Sequence, residues 1–123
     1  MNMSVHINGT TFPAEYMTTP EQTRQGMMGR ENLSGCMVFK MGKGVHSFWM
    51  KGCIIPLDIV FVNNNRISKI HRNCSPVNMN VLTPPKYTGI GDHVIEFPAG
   101  TSTKWKEGDK VSMYLGTPQN PVN

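Results

Sequence analysis

Acidic residues are absent from Ile59 to Gly91, and charge of any kind is scarce, at 16% of 123 residues. The basic residues of that stretch are Arg66, Lys69, Arg72 and Lys86, which together would attract phosphate or an acidic partner. Strand alternation splits them. With residues 66–72 extended, Arg66, Ser68, Ile70 and Arg72 point one way and Ile67, Lys69 and His71 the other. No stacking aromatics interleave with these charges, so the pattern argues against nucleic acid as a partner. It reads as a solvated edge strand guarded by cations, in a chain whose net charge is a mild +4.

The cysteines are Cys36, Cys53 and Cys74, an odd count without close pairs, so free thiols are expected rather than a disulfide framework. No apolar run reaches the length that crosses a membrane. The opening Met-Asn-Met-Ser-Val-His-Ile-Asn-Gly lacks the basic head and apolar core of a secretion signal, and an intracellular protein is the expectation. Catalytic motifs are missing as well: no Gly-x-Ser-x-Gly, phosphate loop or dinucleotide fingerprint occurs. His6, His46, His71 and His93 are dispersed, with no Cys-x-x-Cys or His-x-x-x-His, so neither metal nor cofactor is expected. His71 precedes Cys74 by three residues, and in an extended chain the two point to opposite sides.

Turn formers are plentiful, with 12 Gly and 9 Pro separating short apolar runs, and this predicts a mainly β domain. Asn8-Gly9 predicts a hairpin between Ser4–Ile7 and Thr11–Met17. Thr19, Pro20, Glu21 and Gln22 compose a capping box, starting one short helix near residues 20–29 on which Arg24 and Met28 share a face. Strands are expected at 36–40, 47–51, 58–62 and 66–71, then an irregular stretch over 73–91, and strands at 93–97 and 110–115. A single domain over 1–115 and a loose tail over 116–123 complete the reading. Trp105, in Lys104-Trp105-Lys106, is expected exposed or half-buried.

Residues 48–62 combine an aromatic pair, one lysine and one aspartate with the most apolar part of the chain. They read as two core strands joined by a corner at Pro56, with the charges paired or held at the edge, because burying one alone costs several kcal/mol.

Arg24-Gln-Gly-Met-Met-Gly-Arg30, Gly35-Cys-Met-Val-Phe39, Phe48-Trp-Met-Lys51, Ile55-Pro-Leu-Asp-Ile-Val-Phe61, Glu96-Phe-Pro-Ala-Gly100 and Gly108-Asp-Lys-Val111 follow in that order. Together they resemble the family known as domain of unknown function 192, over residues 14–115. The resemblance implies a barrel-like or sandwich β-fold with one short helix, and no established activity. The family spans bacteria, archaea and tailed phages, and the short Asn- and Met-rich chain suits a phage-encoded member, with a place in virions. The chain departs from the family pattern at Gly52-Cys53, where a polar pair is common.

The charged residues of these motifs are Arg24, Lys51, Asp58 and Glu96. One reading pairs them with each other, pinning the helix to the sheet. The other makes them the rim of a concave mouth with an apolar floor of Trp49, Met28 and Phe61, which would take a small ligand or a partner protein. A non-enzymatic binding or structural module, with Arg24, Met28, Trp49, Lys51, Asp58 and Glu96 as its contact residues, is the leading expectation. The alternatives are a hydrolase or isomerase using Asp58 or Glu96 as acid or base, and a virion decoration or assembly component that self-associates through an edge strand or the 73–91 stretch.

Overall fold

The computed structural model describes residues 2–116, so the tail expected over 116–123 lies outside the described residues beyond Gly116. Asn8 and Gly9 take positive φ, 48° and 82°, as a two-residue type I′ hairpin turn requires. They join β1 (Asn2–Ile7) to β2 (Thr10–Met17), with Ile7 opposite Thr10 and Met3 opposite Ala14. Asn64 and Asn65 turn the chain in the same way between β4 (Leu57–Asn63) and β5 (Arg66–Cys74).

Helix α1 (Pro20–Gln25) has its capping box in place. Thr19 Oγ1 accepts from the Gln22 amide at 3.1 Å, and Gln22 Oε1 accepts from the Thr19 amide at 3.2 Å. The helix is shorter than expected because Gly26 leaves it at φ 44°. Met28 therefore lies beyond the helix in a bridge to Cys53, rather than one turn along from Arg24.

Two strands outrun their sequence signals. β3 (Cys36–Trp49) is continuous where two segments were expected, and a register shift between Lys40 and Gly44 absorbs the glycines. β6 (Lys86–Pro98) starts at Lys86 rather than His93, through Gly89 and Gly91. Those glycines permit close approach: a Cβ at Gly89 would fall 2.5 Å from the Phe61 ring, and one at Gly91 2.3 Å from the Val62 carbonyl oxygen. Only 75–85 of the stretch expected to be irregular lies between strands.

With β7 (Val111–Leu115) the described residues compose one sheet in the order β5-β4-β6-β3-β2-β1-β7, antiparallel except for the β2–β3 pair that α1 connects. The sheet curls into a half-barrel whose edge strands meet at one end. There the Ile67 amide donates to the Asp109 carbonyl at 2.9 Å and the Val111 amide to the Asn65 carbonyl at 2.8 Å.

Both faces of the central strands are covered, which is why β4 reads as a near-continuous apolar run. Val60, Val62, Val38, Ile95 and Phe97 face the closed interior with Val5, Ile7 and Val111. Leu57, Ile59, Phe61, Met37, Phe39 and Val94 face the other way, under Met27, Met50 and Cys53. Trp105 corrects its expectation. It is 8% exposed and packs edge-to-face on Phe97 and Phe12, with ring centroids at 4.9 and 5.7 Å. Arg72 holds this corner by donating to the Ser102 and Trp105 carbonyls, so an arginine of the acid-free stretch is spent on structure.

Candidate ligand-binding site

A cavity of about 340 Å³ opens on the second face, between α1, the turn at 26–28, the end of β3 and the start of β6. That is at the small end of the range for ligand pockets. Phe39 and Phe48, packed edge-to-face at 5.1 Å, line it with Met27, Met28 and Met41. Its charged lining residues are Arg24, Lys51, Lys86 and Glu96. Arg24 comes from the helix, while Lys51 and Lys86 flank the outer end of the β3–β6 pair, where Trp49 lies opposite Lys86. Trp49 is 46% exposed and carries Lys51 Nζ 5.3 Å from its ring centroid, a cation–π contact.

Glu96 lies deeper. On β6 it stands between Met37 of β3 and Ile59 of β4, so both ladder neighbours are apolar. Its side chain is 4% exposed, and Oε1 has no hydrogen-bond partner. Burial pushes the Glu96 carboxyl up to about 8, so near neutral pH the residue is a neutral acid with a proton to donate. Cys53 also lines the cavity, and burial, reinforced by Glu96, raises its thiol to about 12. Cys74 is raised to about 11, chiefly by burial, and its Sγ donates to the His71 carbonyl. Neither thiol is a ready nucleophile.

Five of the six residues expected at a site, Arg24, Met28, Trp49, Lys51 and Glu96, line this one cavity. Asp58 does not. It shares its face of β4 with Val60 and Val62 and reaches the closed side of the sheet. There Oδ1 accepts from the Asn73 amide at 2.8 Å, and Oδ2 accepts from the Ser102 amide at 2.9 Å, the Ser102 hydroxyl at 2.7 Å and the Gly100 amide at 3.2 Å. Asp58 is a structural tie between β4, the end of β5 and the corner after β6.

The same geometry bears on the two candidate acids and on the motif charges. Asp58 and Glu96 lie on opposite faces of the sheet, so they do not act on one another. Nor do the four motif charges pair with each other: among the described residues the ion pairs are Arg30–Glu15, His93–Asp92 and Lys106–Asp109. Phe61, expected in the floor, is fully buried beneath Phe48, with ring centroids at 6.2 Å.

Lys86, Phe39, Phe48 and Cys53 are pocket residues that sequence reasoning did not single out. Lys86 was visible only as the last cation of the acid-free stretch, and Phe39 and Phe48 only as strand aromatics inside the family motifs. Cys53 was visible only as half of the Gly52-Cys53 pair read as a departure from the family pattern.

The family model of domain of unknown function 192, described as "Uncharacterized ACR", matches residues 3–113. The chain belongs to this family. A crystal structure of a protein of unknown function from Novosphingobium aromaticivorans is 28% identical, with a TM-score of 0.74 over 91% of this chain and 84% of that one. A putative transcription regulator from Sinorhizobium meliloti is 26% identical, with a TM-score of 0.75 over 91% of this chain and 92% of that one. No curated protein matches the chain. The solved relatives share its curled β-sheet fold. Among the described residues no helix is long and apolar enough to cross a membrane.

Proposed function

We propose that this domain is a recognition module whose pocket binds a small apolar molecule bearing a negative charge. One observation carries the reading. An apolar, aromatic-floored cavity is ringed by Arg24, Lys51 and Lys86, and the acid among its lining residues is the deeply buried Glu96. Cations without acidic neighbours favour an anionic group at the mouth, and the methionine and phenylalanine floor favours an apolar body.

The raised Glu96 carboxyl supports a second reading, in which it serves alone as a general acid. That reading lacks a matching base: Asp58 is behind the sheet, and the thiol at the cavity, Cys53, is raised to about 12. Binding without catalysis is the better-supported function.

The test is an amide-shift NMR titration with 4-isopropylbenzoate as the apolar anion and 4-isopropylbenzylamine as its cationic counterpart. Saturable shifts at 24–28, 39, 48–53 and 86 with the anion, weakened in an Arg24→Ala, Lys51→Ala double variant, are the expected result. Shifts scattered over the surface, or a preference for the amine, would sink the reading.

A further inference from the structure

The rim cations account for one end of a ligand and leave the other end open. At the inner end Glu96 has a carboxyl oxygen without a partner, in a lining that includes Met27, Phe39 and Cys53, with Met37 and Ile59 as its apolar neighbours in the sheet. Native proteins rarely leave a buried polar atom unpaired, and a group left so beside a cavity is a natural attachment point. We infer that the pocket takes a small apolar anion with a neutral hydrogen-bond acceptor, such as a carbonyl oxygen or ring nitrogen, at the end opposite its charge. The Glu96 carboxyl donates to that acceptor while Arg24, Lys51 and Lys86 hold the anion. This rests on the pocket being a ligand site, and it adds the chemistry of the ligand's buried end.

The alternative at Glu96 is a ligand ammonium paired with the ionised carboxylate. The surroundings favour the neutral donor. The titratable and charged groups that face the cavity with Glu96 are Arg24 on α1, Lys51 and Cys53 on the 50–56 connection and Lys86 at the start of β6, with Cys74 at the end of β5 close by. The thiols stay neutral and the cations lie at the mouth, so burial prevails and the carboxyl keeps its proton near neutral pH. A protonated carboxyl has one O–H to give and no bound partner to give it to.

Three matched probes test this by isothermal titration: 4-acetylbenzoate, which carries a carbonyl acceptor; 4-isopropylbenzoate, its near-isostere without one; and 4-(aminomethyl)benzoate, which carries an ammonium. At about pH 6 the acetyl compound should bind roughly tenfold more tightly than the isopropyl compound. The ratio should fall toward one by about pH 10, as Glu96 ionises and its donor is lost. Using the ratio cancels any change at the rim lysines. Glu96→Gln, whose amide donates without titrating, should keep the preference at both pH values, and Glu96→Leu should abolish it while still binding the isopropyl compound.

Equal binding of the acetyl and isopropyl compounds at low pH would overturn the inference and leave the pocket reading intact. Tightest binding of the aminomethyl compound, growing as pH rises, would overturn it in favour of a carboxylate that pairs with cations. If none of the three binds the folded protein at millimolar concentration, both the inference and the proposed function fall.

Discussion

Asp58 and Glu96 are buried carboxylates on neighbouring strands, one step out of register. Asp58 stands opposite Phe97, and Ile59 stands opposite Glu96. That single step sends them to opposite faces of the sheet. Asp58 enters the closed interior and accepts hydrogen bonds from the end of β5 and the corner after β6. Glu96 enters the face with the cavity, and one of its oxygens has no partner. Burial alone therefore does not define a buried acid's role. The donors around it do: a satisfied carboxylate organises backbone, and an unsatisfied one beside a cavity is available to something else.

The largest effect should come from the satisfied side. Asp58→Ala strands the amides of Asn73, Gly100 and Ser102, and denaturant unfolding should show a loss of at least about 4 kcal/mol. A loss below about 1 kcal/mol would end the contrast between the two carboxylates.

The two tryptophans repeat the contrast. Trp105→Ala removes a ring packed against Phe97 and Phe12 and should cost about 3 to 4 kcal/mol in the same measurement. Trp49→Ala, at a ring already 46% exposed, should cost less than about 1 kcal/mol while weakening probe binding. Similar losses from the two would mean that the pocket face is as tightly packed as the interior.

Glu96 supplies the third test, through pH. Its carboxyl is raised by burial to about 8, above its value in the unfolded chain. The folded state then holds more protons between the unfolded and folded pKa values, so the stabilising protonation is complete below the unfolded value and is lost as pH climbs through about 8. The slope can reach about 1.4 kcal/mol per pH unit in that window. Glu96→Gln should flatten this dependence and be the more stable protein at alkaline pH. A wild-type stability curve as flat as that of Glu96→Gln would show that Glu96 titrates like an exposed acid.

The smallest changes belong to the mouth. Arg24→Ala, Lys51→Ala and Lys86→Ala should each shift stability by less than about 1 kcal/mol, since none of the three is in an ion pair among the described residues. Each should still weaken 4-isopropylbenzoate binding severalfold. Unchanged affinity in all three would detach the charge ring from the pocket's function.

Much of this was legible in the chain because it is local. Asn8-Gly9 and the Thr19–Gln22 box act over two to four residues, and both form as their chemistry requires. Three of the four charged residues set among apolar motifs, Arg24, Lys51 and Glu96, line the cavity. What escaped was non-local. Gly89 and Gly91 fell in the stretch expected to be irregular, and only the Phe61 ring and the Val62 carbonyl show that they admit close neighbours within a strand. Trp105 sits between two lysines and read as exposed or half-buried, but the corner after β6 folds it against Phe97.

The sequence by itself determined the fold class, the turns, the helix start and the family, because turn chemistry, capping and strand alternation are read within a few neighbouring residues. Alternation also settled that Asp58 goes with Val60 and Glu96 with Val94. It says nothing of how one strand is placed against the next. Only the register of β4 on β6, set by packing on both faces of the sheet, decided that one acid would be enclosed by donors and the other left facing a cavity.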